Sequence, residues 1–210
     1  VGEVFDEDYY ERGIETGVSC FENYKWLPEL TIPAVMACID YLGMERGCSV
    51  LDFGCAKGYY VKAFRMLERH AWGCDISKYA LSKSDVSVRP FLKLCTEEEP
   101  FPFTKTFDYV LAKDVLEHMG EESVSVFLEQ LKRGVSPELF VVVPLAKDGC
   151  YIVPQNEKDV THIIRKTSEG WREIFSSSGW EVVDFAYKVS GLKERQTSRY
   201  AEGVGFFTLL

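Results

Sequence analysis

No apolar run in these 210 residues approaches the ~20 residues that a membrane-spanning helix needs. No basic stretch followed by an apolar one opens the chain. Its first residues carry acids and tyrosines and begin at Val1 rather than methionine, so no secretory signal or membrane partner is expected and a cytoplasmic location is. Basic charge is short too. With 24 Lys and Arg against 33 Asp and Glu, the net charge is -9, the wrong sign for a nucleic-acid surface. The seven cysteines, at 20, 38, 48, 55, 74, 95 and 150, contain no Cys-x-x-Cys pair. A zinc or disulfide framework therefore has no support, no metal site is expected, and a reducing compartment fits. Internal repeats and low-complexity segments are absent as well.

What is present is an ordinary globular composition, 46% hydrophobic and 27% charged, in a chain of single-domain length. Apolar runs of strand type alternate with amphipathic stretches. Val50–Leu51, Ala71–Cys74, Thr106–Ala112 and Glu138–Val143 read as strands. Helices are expected at about 32–42, 59–69, 78–83, 121–132 and 167–178. Two strands, 181–187 and 204–210, close the chain without a clear helix between them. Such alternation predicts right-handed βαβ units, hence a doubly wound, mostly parallel α/β sheet with helices on both faces.

In that architecture a ligand lies across the carboxyl ends of the strands, so the loops there are the places for chemistry. Asp52-Phe53-Gly54-Cys55-Ala56-Lys57-Gly58 follows the first strand. Its glycines allow close backbone approach, and the following helix aims N–H groups at a ligand. A dinucleotide site wants Gly-x-Gly-x-x-Gly, but this chain has Ala56 and Tyr59 in the second and third glycine places. A carboxylate at Asp52 repels a pyrophosphate and suits a ligand with a positive amino group. Asp75 ends the second strand, where an acid can accept two ribose hydroxyls. It could instead cap the helix that follows, as could Ser77.

The pattern Asp52-x-Gly54-x-Ala56-x-Gly58 resembles the first motif of class I S-adenosylmethionine-dependent methyltransferases, with alanine where that family usually has glycine. Phe101-Pro102-Phe103, the aromatic–Asp start at Phe107-Asp108 and the turn Leu116-Glu117-His118 resemble the family's fourth-strand block. The resemblance covers roughly residues 48–120. It implies a Rossmann-like sheet of seven strands with an antiparallel C-terminal strand pair, and S-adenosyl-L-methionine as cofactor. It further implies a cofactor-binding set of Asp52, Gly54, Cys55, Ala56, Gly58, Asp75, Ile76, Leu94, Cys95, Ala112 and Lys113. Cys95 stands where the family usually has an acid or small polar group, so backbone contact at most is expected there.

Residues 1–45 are expected to form an N-terminal cap segment and helix, and residues 46–210 the cofactor-binding core. Tyr9, Tyr10, Arg12, Tyr24 and Trp26 make the cap too aromatic for a linker. Tyr24 is expected at the cofactor, and the segment is expected to be mobile until ligand arrives; the other reading is a plain cover of the sheet edge.

Of the three histidines, His70 is expected at the surface and His118 in a structural or cofactor-side role. His162 lies in Asp159-Val160-Thr161-His162, a block resembling one in methyltransferases of small and sugar-linked molecules. It is expected to act as a general base with Asp159 fixing its tautomer; packing against Trp171 is the structural alternative. The expected activity is methylation of an oxygen or nitrogen of a small polar metabolite, with a sugar, nucleotide-sugar or surface-glycan precursor leading. Two rivals stand beside it, a non-catalytic cofactor-binding subunit and an NAD-dependent oxidoreductase or epimerase. The expected partners are a small-molecule substrate and a second copy of the chain in a homodimer.

Overall fold

Residues 139–143 form a continuous apolar run, Leu-Phe-Val-Val-Val, and the strand that carries it lies inside the sheet rather than at an edge. The computed structural model describes residues 4–133 and 138–210. In chain order the elements are α1 (Glu7–Glu11), α2 (Gly13–Thr16), α3 (Pro28–Leu42), β1 (Ser49–Phe53), α4 (Tyr59–Met66) and β2 (His70–Asp75). They continue with α5 (Lys78–Ser82), β3 (Leu92–Leu94), β4 (Tyr109–Lys113), α6 (Glu121–Lys132), β5 (Glu138–Pro144) and the short hairpin β6 (Ala146–Lys147) and β7 (Cys150–Tyr151). The last are α7 (Ser168–Ser177), β8 (Val182–Ala186), α8 (Glu194–Thr197) and β9 (Val204–Leu209).

Seven strands form one sheet in the order β3-β2-β1-β4-β5-β9-β8. β1 to β5 are mutually parallel, and β9 runs antiparallel to both β5 and β8. The strand order reverses between β1 and β4, which opens a crevice at their carboxyl ends. Successive residues of the strands feed opposite faces, and both faces are covered. Leu51, Val141 and Val143 pack under α6 and α7 with Phe127, Leu131, Trp171 and Phe175. Val50, Phe140 and Val142 pack under α3 and α4 with Val35, Ile39 and Phe64. Truncating one of the fully buried aromatics, such as Phe175 or Phe64, would cost about 3–5 kcal/mol.

The doubly wound sheet and its antiparallel strand pair agree with the sequence reading, as does the helical, aromatic N-terminal cap, and two local points differ. α3 starts at Pro28 rather than near residue 32: Pro28 sits in the first turn, where its missing N–H costs nothing, and the helix runs on through Pro33 to Gly43 at φ 62°. One turn of helix, α8, interrupts the path between the last two strands. The N-terminal segment forms α1 and α2, with Tyr9 and Tyr10 only 3% and 5% exposed. Among the described residues, no helix is long and apolar enough to cross a membrane.

Candidate functional site

A cavity of about 640 Å³ lies at the carboxyl ends of β1, β2 and β4. Its first wall is the loop after β1. Gly54 has φ 75°, and a Cβ there would lie 2.1 Å from Val115 Cγ2, so only glycine lets the loop after β4 cross it. At Gly58, φ 77°, a Cβ would lie 2.7 Å from Leu92. Ala56 also sits in the left-handed region, at φ 48°, a conformation that costs a non-glycine residue about 1–2 kcal/mol.

Asp75 supplies the second wall. Its Oδ2 accepts from the Ala56 N–H at 2.6 Å and its Oδ1 from the Ser77 N–H at 2.8 Å. Ser77 itself caps α5, with its hydroxyl accepting from Ala80 N. The capping role weighed for Asp75 therefore belongs to Ser77, and the carboxylate is left facing the cavity. Burial raises the Asp75 carboxyl to about 6 against the pull of these backbone donors. Burial likewise raises Asp52, one layer below, to about 7, although Lys113 opposes it.

Lys113 ends β4 and bonds Asp114 Oδ2 at 2.6 Å, while Lys193 holds the other oxygen of Asp114. Burial alone would lower the Lys113 ammonium, but Asp114 holds it above its ordinary range. The N-terminal segment closes the cavity with Phe5, Tyr9, Tyr10, Phe21 and Tyr24. It is fastened to the glycine-bearing loop through Lys57, whose Nζ donates to Glu11 Oε1 and to the Tyr24 carbonyl, both at 2.5 Å. It is fastened to β2 by Ser77 Oγ donating to the Phe5 carbonyl at 2.5 Å.

His118 is a further polar group on the cavity wall. Thr161 Oγ1 donates to Asp159 Oδ1 at 2.5 Å and lies 2.8 Å from His118 Nδ1. A hydroxyl has one proton, so Nδ1 must be the donor to Thr161, and His118 keeps its lone pair on Nε2. Tyr9 Oη donates to Asp159 Oδ2 at 3.0 Å and completes the chain of bonds. Burial lowers His118 to about 4, helped by the neighbouring His162, so its imidazole is neutral at pH 7. Glu117, 1% exposed, faces away from the cavity, and burial, then Asp114, raises its carboxyl to about 8.

Of the residues singled out in the sequence, Gly54, Ala56, Asp75, Ile76, Cys95, Lys113 and Tyr24 stand on the cavity wall. Leu94 lines an adjoining groove instead. Ala112 is a correction: it is fully buried in the core, because strand alternation turns it inward and brings Lys113 to the rim. Cys55 packs in the α3–α4 core and Gly58 shapes the start of α4, so neither forms the wall. Asp52 is buried and does not line the wall either.

His162 and Asp159 are the larger correction. They lie behind His118, with the two imidazole centroids 4.6 Å apart, and only Ile163 of that loop reaches the cavity. His162 packs on His118 and Tyr151 rather than on Trp171. The sequence places Tyr9 in the aromatic cap and His118 in a structural or cofactor-side role, and it gives Thr161 no role of its own. The one signal for His118 was its place directly after the fourth strand.

A family model described as a methyltransferase domain matches residues 51–143, the stretch that carries the glycine-bearing loop, Asp75 and His118. Comparison with curated proteins gives no match. Among solved structures the chain is similar to a Haloferax volcanii methyltransferase in complex with the Trm112 methyltransferase activator. Identity is 15%, coverage 87% of this chain and 90% of that one, and the TM-score 0.66. It is similar to an S-adenosylmethionine-dependent methyltransferase of Archaeoglobus fulgidus, at 15% identity, 87% and 96% coverage and a TM-score of 0.64. It is also similar to magnesium protoporphyrin IX methyltransferase of Synechocystis with bound S-adenosylhomocysteine, at 14% identity, 99% and 90% coverage and a TM-score of 0.62.

Proposed function

We propose that this chain is a class I S-adenosylmethionine-dependent methyltransferase and that it acts on a hydroxyl or amine of a small molecule with a partly apolar body, seated between the N-terminal aromatic segment and His118. The observation that carries this reading is the polarity of the cavity. Its wall combines the charged Asp75, Lys113, Asp114 and Glu122 with the apolar Met119 and Ile163, and His118 stands edge-on to the rings of Phe5 and Tyr9.

The residues present fit the cofactor. Each Asp75 oxygen holds one backbone N–H and retains a lone pair for a ribose hydroxyl. Asp52 offers negative charge for the amino group, Gly54 presents bare backbone, and Ile76 and Cys95 flank the place for a base. A volume of about 640 Å³ falls within the ~300–1,000 Å³ of small-molecule sites.

When bound, S-adenosylmethionine supplies a methyl group on a positively charged sulfur, which an acceptor oxygen or nitrogen displaces in line. The chain's own part is to position, to exclude water and to handle a proton. Phe21, Tyr10 and Tyr24 cover the cavity. His118, neutral and with its lone pair on Nε2, orients the acceptor's O–H or N–H by accepting from it. Thr161, Asp159 and Tyr9 hold the imidazole in that tautomer. A sugar or nucleotide-sugar fits this wall when carried on an apolar group, since the loop that bears Asp159 and His162 reaches the cavity only through Ile163.

The test is transfer from methyl-labelled S-adenosylmethionine into a fractionated cell extract. Label in the small-molecule fraction, lost with His118→Ala, supports the reading. Label in protein or nucleic acid alone contradicts it.

A further inference from the structure

Glu117, His118 and His162 converge one layer beneath the cavity wall. One ligand atom from each lies within 4.8 Å of the others. Both carboxylate oxygens of Glu117 are buried with no hydrogen-bond partner, as is Nδ1 of His162. A carboxylate that is 1% exposed and unpartnered is a costly arrangement that calls for a specific counterpart, an ion being one. His162 Nε2 lies 4.0 Å from Glu117 Oε1 and 3.8 Å from Asp159 Oδ2. Those separations are too long for hydrogen bonds. The His162–Glu117 separation is one that two ligands of a single cation with bonds of about 2.1 Å can span.

We propose that Glu117, His118 and His162 bind one divalent first-row transition metal ion at the edge of the cavity. Two imidazoles and one carboxylate suit Zn²⁺, Fe²⁺, Mn²⁺ or Co²⁺, whereas Mg²⁺ and Ca²⁺ prefer oxygen ligands throughout. The tautomer of His118 is already set for this. With Nδ1 donating to Thr161 Oγ1, which donates to Asp159, the Nε2 lone pair is free to coordinate, and the carboxylate behind the histidine fixes the ring as outer partners of metal-bound histidines do. His118 also lines the cavity. Coordination would take up the Nε2 lone pair, so the metal-free protein would hydrogen-bond the acceptor through His118 and the metal-loaded protein would not.

Binding is tested on the full chain without reference to activity. The protein is stripped with a chelator and titrated with Co²⁺, and the d–d absorption of the bound ion is read with its stoichiometry by elemental analysis. One equivalent should bind, without the sulfur-to-cobalt charge-transfer band that the exposed Cys20 and Cys150 would give. Glu117→Gln and His162→Asn should each weaken binding about 100-fold, while His70→Ala leaves it unchanged. X-ray absorption of the wild-type complex should show two imidazole scatterers, which keeps the test valid if a variant fails to fold. Absence of binding, a thiolate band, or affinity indifferent to both substitutions overturns the proposal. Methyl transfer by the stripped protein would leave the proposed function standing, since cofactor binding rests on Asp75 and not on this cluster.

Discussion

The Asp75 carboxylate and the Ala56 amide, 19 positions apart in the chain, are joined by a hydrogen bond of 2.6 Å. Together with the Gly54 and Cys55 amides donating to the Cys74 carbonyl, that bond holds the loop after β1 against the end of β2, and so sets the shape of the cavity where a nucleoside would lie. Asp75 therefore has two duties, and removing it should expose both. Asp75→Ala should weaken S-adenosylhomocysteine binding at least about tenfold by calorimetry, since charge-assisted hydrogen bonds contribute roughly 1.5–3 kcal/mol. It should also lower the melting temperature of the ligand-free protein, because the amides of Ala56 and Ser77 lose their acceptor. Unchanged affinity would remove the ribose assignment.

Ala56 adopts φ 48° in a place where glycine carries no steric penalty. Ala56→Gly should stabilise the protein by about 0.5–1 kcal/mol, offset in part by the methyl that packs with Tyr9 and Tyr10. Ala56→Val should destabilise it. Melting curves of the two variants decide, and a Gly variant that melts well below wild type would mean that the methyl contact outweighs the backbone strain.

How much of this was legible beforehand depended on the range of the interaction. The strands and the loop after β1 could be read because period-two burial and glycine punctuation are local. The turn of Asp75 toward the cavity could be read because a strand end has few other options. α1 and α2, of five and four residues, are too short to show a helical period. The pair Ala112 and Lys113 shows the limit of strand reading, since a one-residue error in parity exchanges core for cavity. His118 gains its tautomer from Thr161, 43 positions away, and nothing in Leu116-Glu117-His118 announces that partner. His162 was overvalued for the same reason, as its loop position is visible in sequence and the imidazole standing before it is not.

Proton linkage provides a third prediction. Burial raises Asp52 from its ordinary 3.8 to about 7, and Asp75 to about 6. Lys113 and Asp75 are the charged groups acting on Asp52, with Tyr24, Tyr60 and Cys38 also around it. The folded state thus favours the neutral acids, so these two groups cost stability progressively as pH rises from about 4 to about 7. A cofactor bearing a positive amino group and ribose hydroxyls favours the ionised acids. Binding should release protons near pH 6, and affinity should rise with pH until about 7 and then level off. Calorimetry in two buffers of different ionisation enthalpy measures the release, which should fall in Asp52→Asn. Proton uptake would reverse the sign and contradict the assignment.

The fastening of the N-terminal segment is a fourth. The Lys57 ammonium, 6% exposed, is paired with Glu11, and losing that partner strands a nearly buried charge. Glu11→Ala should loosen residues 5–24 by about 1–3 kcal/mol, seen as faster hydrogen exchange there with the sheet unaffected. Cofactor affinity should fall with it, because Tyr10 and Tyr24 close the cavity from that segment. Exchange that stays slow would show that the buried tyrosines alone hold the cap.

The most direct test of the whole account is a crystal structure with S-adenosylhomocysteine. The ribose hydroxyls should lie on the Asp75 carboxylate, the amino end near Asp52 and the loop from Gly54 to Gly58, and the sulfur should face open space bounded by His118. A ligand seated away from Asp75, or a sulfur buried against Phe53 with no path to His118, would contradict it.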